Sequence, residues 1–417
     1  MTVSSSPSRQ RGRPASGAAS APRVGLFGLL GSGNIGNDAS LDAVLGYLRS
    51  YHPDAVLDAM CMGSEQIRAR YGFDAIPLLW YQRYEQRASG MLAAGLKTLG
   101  KVIDPFRTAS WVRRHDVVIV PGMGVLEASL PLHPWGVPYT MFQLGASGRI
   151  FGTKVALVGV GAGLIKQPMT RWLLVRAARL AFYRSYRDAQ SRDALQQQGL
   201  DTSADPVHPD LVFSLPSSPV AGNPETVGVG LMAYYGSNDD RKRADEIYAS
   251  YIGNVESFIR WLLEAGRRVL LFYGDIVDEP AIQQVLTDLR EYTSNSGSPR
   301  LAAERVTSYA EVSRAMAPVG AVVATRYHNV ICALQLGKPT ISLGYAKKNV
   351  VLMEDMGLPE FCQQADSIDV GKLIEQFTKL ESNADQVRTM LAGRNAEKAS
   401  LLAGQFAAMD ALLFPAG

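Results

Sequence analysis

The chain has 417 residues, 47% of them hydrophobic and 19% charged, enough to bury a core without disulfides or metal, so wholesale disorder is excluded. Its 42 basic and 39 acidic residues leave a formal charge of +3, which gives no support to a nucleic-acid binder and requires any anion site to be local. Cys61, Cys332 and Cys362 have neither CxxC nor zinc-ligand spacing, so a reducing, cytoplasmic setting is expected and no metal or cofactor is demanded.

Residues 1–22, rich in Arg and Ser and without an apolar segment, read as a disordered basic tail rather than a secretory signal. No apolar run reaches the roughly 18 residues of a membrane span, so a soluble protein is expected. From Arg23 onward, short apolar runs alternate with helical periodicity, the pattern of βαβ units and a parallel sheet. A strand over 23–28 enters the turn Leu-Leu-Gly-Ser-Gly-Asn-Ile-Gly-Asn-Asp, and a helix starts near Ala39 with Leu41, Val44, Leu45 and Leu48 on one face. Strands are predicted at 55–59, 116–120 and 154–160, then a helix over 168–185 and a short strand at Tyr186 and Arg187. The Pro- and Ser-rich run LPSSPVAGNPET marks a boundary. The alternation then restarts, with strands at 226–232, 268–273, 320–325 and 339–343. Helices are predicted at 247–264, 280–292 and 329–336, and further helices run to about Leu413. The expected architecture is α/β, with two Rossmann-like domains, 23–216 and 225–385, facing across a cleft at the C-terminal ends of their strands, followed by C-terminal helices over 386–417.

Candidate chemistry lies at the strand ends. In the first turn, Gly33 lets backbone approach an anion, and Asn34 and Asn37 offer polar contacts to a sugar. The turn's likeness to GxGxxG leaves a dinucleotide reading open with Asp58 as acidic partner. The plain alternative is a tight turn capped by Asn37 or Asp38. Gly122 and Gly124 follow the strand at 116–120, and Glu127 reads either as a base toward a hydroxyl or as a solvated carboxylate. Arg187 suits a carboxylate or phosphate, or else pairs with Asp188 or Asp193.

The most informative run delivers Arg326, His328 and Asn329 to the start of a helix, whose N-terminus favours anions, and Lys348 follows the next strand. Cys332 leaves a Cys/His nucleophile reading beside that of a packed small residue. Between Arg83 and His115, apolar residues including Phe106 and Trp111 mix with Arg87, Lys97, Lys101, Arg107, Arg113 and Arg114. This stretch reads as a basic amphipathic helix in peripheral contact with anionic lipid, or as a helix pair with a solvated basic face.

Taken in order, GSGNIGND, VIVPGMG, Ser185-Tyr-Arg-Asp188, Asp205-Pro or Pro209-Asp, RYHNVICALQLGKP and Tyr345-Ala-Lys-Lys348 resemble the polysaccharide pyruvyl transferase family from about Val24 to Leu358. Asn37 departs from the family's usual glycine, and Met123 interrupts a glycine triplet. The resemblance implies a fold like that of glycosyltransferases with two Rossmann domains, the GT-B type. It implies transfer of a pyruvyl group from phosphoenolpyruvate to two hydroxyls of a sugar in a polysaccharide or glycolipid, forming a cyclic ketal and releasing phosphate. Under that chemistry Arg187, Arg326, Lys348 and Asn329 hold the donor, and His328 protonates the enol methylene. Asp38 or Glu127 takes a hydroxyl proton, while Gly33, Asn34, Asn37, Gly122 and Gly124 form the acceptor or anion-binding turns. A nucleotide-sugar glycosyltransferase and a non-catalytic sugar- or anion-binding protein of the same architecture are the alternatives.

Overall fold

The computed structural model describes residues 21–84, 89–127, 134–292 and 300–415, so residues 1–20 of the basic tail and Arg87 lie outside the described residues. The first lobe runs β1 (Arg23–Gly28), α1 (Ile35–Tyr51), β2 (Val56–Cys61), α2 (Ser64–Tyr71), β3 (Asp74–Pro77), α3 (Gly90–Val112) and β4 (Val117–Pro121). It continues with α4 (Val137–Phe151), β5 (Lys154–Val160), α5 (Pro168–Leu180), β6 (Tyr183–Tyr186) and α6 (Ala189–Gln197). The second lobe runs β7 (Asn223–Leu231), α7 (Ala244–Glu264), β8 (Arg268–Tyr273), α8 (Glu279–Asp288), β9 (Leu301–Ala303) and α9 (Tyr309–Met316). It closes with β10 (Val319–Ala324), α10 (Tyr327–Gln335), β11 (Thr340–Gly344), α11 (Lys347–Asp355), β12 (Cys362–Gln364) and α12 (Val370–Ser382), before a long final helix, α13 (Ala384–Leu413).

Both sheets are parallel and six-stranded, ordered β3-β2-β1-β4-β5-β6 and β12-β11-β10-β7-β8-β9. Helices cover both faces, so central strands such as β4 and β10 are buried along their whole length and read as continuous apolar runs. The direction of winding reverses between β1 and β4 and again between β7 and β10. These are the switch points where chains diverge and leave a crevice at the strands' C-terminal ends.

Several boundaries differ from the sequence expectation for physical reasons. Helix α1 begins at Ile35 rather than Ala39, because Asn34 is its cap and accepts from the N–H groups of Gly36 and Asn37 at 3.1 and 3.3 Å; neither Asn37 nor Asp38 fills that role. Helix α5 stops at Leu180, since Tyr183–Tyr186 pairs with β5 as an edge strand. Among the described residues, the basic stretch holds one α-helix, α3, which runs through Pro105, rather than a helix pair. Strands β3, β9 and β12 escaped sequence analysis because three or four residues at a sheet edge are too short to show a period.

Two devices join the lobes. Helix α13 starts against the second lobe, where Asn395 donates to the Leu334 carbonyl at 2.9 Å. It ends against the first, where Asp410 accepts from Tyr47 at 2.7 Å and Phe406 stacks on the Tyr47 ring. The connecting chain before β7 is held by Lys338, whose side chain is fully buried and donates to the carbonyls of Val220, Ala317 and Val319 at 2.6, 2.7 and 2.8 Å. Replacing Lys338 with methionine leaves three carbonyls without their donor, that of Val319 buried and the others part-buried. At about 1 kcal/mol or more for each, a loss of roughly 3 kcal/mol is expected, measured as a lower urea midpoint with an unchanged slope.

Candidate active site at the seam of the lobes

The two lobes meet with the C-terminal ends of their strands facing one another, and each candidate side chain arrives from such an end. After β4, the chain turns through Gly122, at φ +54°, and Met123, at φ +59°. It then zips onto the segment after β5, with Gly161 donating to Met123 at 2.8 Å and Leu126 donating to Gly161 at 3.2 Å. This fold-back delivers Glu127 onto Arg187, which follows β6 directly. The Arg187 guanidinium bonds the Glu127 carboxylate, and neither Asp188 nor Asp193 is its main partner: Asp188 is 3.7 Å away and Asp193 pairs with Arg192. Gly161 fits here only because it has no Cβ, which would sit 2.3 Å from Glu127 Oε1 and 2.5 Å from Arg187 Nη2.

From the second lobe, the first turn of α10 brings Tyr327 and His328, and the first turn of α11 brings Lys348. Lys348 Nζ lies 3.6 Å from Glu127 Oε2, so one carboxylate is held between a guanidinium and an ammonium from opposite lobes. Both cations also stand over the Tyr327 ring, at 5.2 Å for Arg187 and 5.5 Å for Lys348. His328 Nε2 faces Asp210 of the first lobe at 3.8 Å. The imidazole packs so closely on α1 that a Cβ on Gly36 would come within 1.9 Å of its Nδ1. The first turns of α1 and α10 therefore meet at the seam.

The electrostatics follow from burial and these pairings. Burial alone would raise the Glu127 pKa, but Arg187 and Lys348 outweigh it and hold the carboxyl down at about 2. Burial pushes the His328 pKa down to about 4; Asp210 opposes this, whereas Arg187 and Lys348 reinforce it, so the imidazole of the free protein is neutral at neutral pH. Three buried polar atoms here have no hydrogen-bond partner among the described residues: Arg187 Nε, His328 Nε2 and Asn329 Nδ2.

Arg326 is used differently from its expected role on the donor. Its guanidinium bonds the fully buried Asp278 through Nε at 2.7 Å and Nη2 at 2.6 Å, so one edge of the fork is taken up inside the second lobe. Asn329 is buried beside Gly230 and Gly274, beneath the same turn.

In the first lobe's turn, Asp38 accepts from Gly31 N–H at 2.8 Å and faces Arg70 at 3.7 Å, which makes it the brace of the turn rather than a base in the seam. Asn37 folds inward onto the Leu29 carbonyl at 3.3 Å, and Gly33, at φ +91°, packs on Ile276. Asn34 reaches across to Asp275 at 3.0 Å, and Ile35 N–H donates to the Gly274 carbonyl at 3.2 Å, latching one lobe to the other. Gly122 lies against Ser40, and Gly124 lies against Glu127.

Two further sequence readings are corrected. Asp58 sits within β2, where it accepts from Trp111 Nε1 at 2.7 Å and pairs with His115 Nε2 at 3.0 Å, so it is not at a strand end reading a ribose. Cys332 is buried, and its thiol pKa is pushed up by burial to about 12, which removes it as a nucleophile. Asp210 and Tyr327 were missed as site residues. Each had a trace in the sequence, the Pro209-Asp step and the middle of Arg-x-His, but a single acid or phenol at such a place carries no chemistry until the lobes are docked.

The profile described as polysaccharide pyruvyl transferase matches residues 34–347. The amylovoran biosynthesis protein AmsJ of Erwinia amylovora is 26% identical over 86 residues, and that match spans 21% of this chain and 20% of the relative. Among solved structures, a putative UDP-N-acetylglucosamine 2-epimerase from Listeria monocytogenes is similar at a TM-score of 0.59 and 11% identity, covering 95% of this chain and 98% of that one. The UDP-GlcNAc 2-epimerase of Methanocaldococcus jannaschii has a TM-score of 0.55 at 10% identity, over 85% and 91% of the two chains. MurG of Acinetobacter baumannii has a TM-score of 0.51 at 12% identity, over 90% and 95%. At these identities the structural likeness establishes the GT-B-type fold alone. The ordered motifs and a family profile that spans the seam carry the assignment further: this chain belongs to the polysaccharide pyruvyl transferase family.

Proposed function

We propose that this transferase moves the pyruvyl group of phosphoenolpyruvate onto two hydroxyls of a glycan, with Arg187 and Lys348 receiving the donor and His328 managing the proton. The observation that supports this most directly is the pair of orphaned polar atoms on Arg187 and His328, buried beside paired cations at the seam. A buried polar atom without a partner costs about 1–3 kcal/mol, and a small ligand with a carboxylate and a phosphate would recover that cost here.

The reaction balances as follows. A proton adds to the methylene carbon of the enol, leaving C2 electron-poor. One sugar hydroxyl attacks C2, and the carbon–oxygen bond to phosphate then breaks. The second hydroxyl attacks C2 and closes the ketal. Two hydroxyl protons are released overall, one replacing that spent on the methyl group and one leaving with phosphate or solvent.

A neutral imidazole in the free protein fits this sequence. An arriving dianion adds negative charge beside His328 and favours the imidazolium, so the acid is charged by its own substrate. Glu127, kept ionised by its two cations, holds Arg187 and Lys348 together before the donor arrives and is too weak a base to be the first choice for the hydroxyl proton. Asp210, 3.8 Å from His328, is an opposite charge that favours the protonated ring.

Acceptor-dependent phosphate release from phosphoenolpyruvate, with nucleotide sugars as the competing donors, tests the reading. His328→Gln is expected to lower kcat by roughly a hundredfold or more while donor binding persists, and Arg187→Ala to weaken donor binding by about tenfold or more. Turnover near that of the parent protein in His328→Gln, or turnover only with a nucleotide sugar, would overturn it.

Donor binding should also take up a proton near neutral pH. Calorimetry in buffers of different ionisation enthalpy would show this as a buffer-dependent heat that is absent in His328→Gln.

The free protein carries a related signature. The unfolded chain binds a proton at His328 below pH about 6.5 and the folded chain does so only near 4, so stability falls as pH drops through that window. From pH 7 to 5, His328→Gln should therefore lose less stability than the parent, by about 1–2 kcal/mol in urea titrations.

A further inference from the structure

Helices α3, α4 and α5 form one layer on the first lobe, with α4 packed between the other two. Their composition is unlike that of the rest of the chain. Together they carry seven basic residues and one acidic residue, a net +6, against +3 for the entire sequence, so everything outside them is net −3. The single acid, Asp104, is buried and spends its carboxylate on the Trp80 N–H and on Arg107, so it offers no negative charge at the surface.

The same layer exposes apolar side chains that a soluble face would keep covered. Among the described residues, 21 large apolar side chains are exposed, and nine of them fall in these three helices. On α3, Met91, Leu99, Val102 and Phe106 recur at spacings of eight, three and four, one stripe of the helix; Met91 is 91% exposed and Phe106 75%. Ile150 on α4, 74% exposed, and Trp172 on α5 extend the apolar surface.

The basic residues stand off this stripe, toward the edges where α3 meets the rest of the lobe. Lys97 and Lys101 stand over the rings of Tyr81 and Trp135, at 5.3 and 5.7 Å. Arg107, bonded to Asp104, and Arg114 line a groove of about 510 Å³ together with Val102 and Phe106. Arg171 and Arg176 continue the charge on α5, Arg176 standing over the Trp172 ring at 5.9 Å.

We infer that this layer docks on the surface of an anionic lipid bilayer, α3 lying in the plane of the interface with its apolar stripe among the acyl chains and its lysines and arginines at the phosphates. Charge selects this occupant. A second copy of the chain meeting the same face would set +6 against +6, and a neutral apolar partner would leave the cations unmatched. A surface of negative headgroups over hydrocarbon satisfies both components of the layer. No helix among the described residues is long and apolar enough to cross a membrane, so the contact is with the surface.

The test is flotation of the full chain with vesicles of phosphatidylcholine alone or with about one third phosphatidylglycerol. The protein should rise with the anionic vesicles and not with the neutral ones, and high salt should release it. Phe106→Glu on α3 and the pair Arg171→Glu and Arg176→Glu on α5 should each weaken partitioning by about tenfold or more, with thermal midpoints unchanged because all three side chains are exposed. Absence of flotation with anionic vesicles, flotation insensitive to both variants, or self-association through this face that Phe106→Glu abolishes would each overturn the inference. The readout is partitioning, not turnover, so it stands or falls apart from the assignment of the donor.

Discussion

Glu127 is gripped by a guanidinium of its own lobe and an ammonium of the other, and the seam is organised around that charge triplet. Remove the carboxylate and two cations would face each other across a partly dry gap with only the Tyr327 face to share. With it in place, the lobes can approach closely enough for His328 to lie against the bare backbone of Gly36. The site is therefore a product of docking: Glu127, Arg187 and Asp210 come from one sheet, Tyr327, His328 and Lys348 from the other, and neither half is a site by itself.

The same economy governs other charged residues near the seam, which are paired within their own lobes. Arg326 and Asp278 satisfy one another beneath the turn after β8, and Asp38 braces the turn after β1. These pairs fix the two helix N-termini that converge on the seam. Arg187 and His328, by contrast, each keep a buried nitrogen without a hydrogen-bond partner among the described residues, and such an atom inside a protein calls for an explanation that a bound ligand would supply.

Much of this was legible before folding. The alternation of apolar runs and helical periods marked the central strands of both sheets, since these are buried on both faces, and the order of the motifs carried the family. Arg187, His328 and Lys348 were legible because they stand at strand ends or in the helical turns that follow. What the chain order hides is pairing between residues far apart. Nothing local distinguishes Arg326, locked by an acid 48 positions away, from Arg187, held by one 60 positions away but with an orphaned Nε. For the same reason Asp210 looks like any acid after a proline until His328 is brought beside it. The imidazole's neutrality was equally invisible, because it comes from burial between lobes and not from its neighbours in sequence.

The closing helix has a mechanical consequence. Thirty residues at 1.5 Å each make α13 a rod about 45 Å long, clamped to the second lobe near Asn395 and to the first near Asp410. A single connecting chain fixes only one point between two folded bodies, whereas a stiff beam that touches both adds a second crossing well away from it. Residues of α13 that lie remote from every reacting atom therefore bear on how the two halves of the crevice are set against each other.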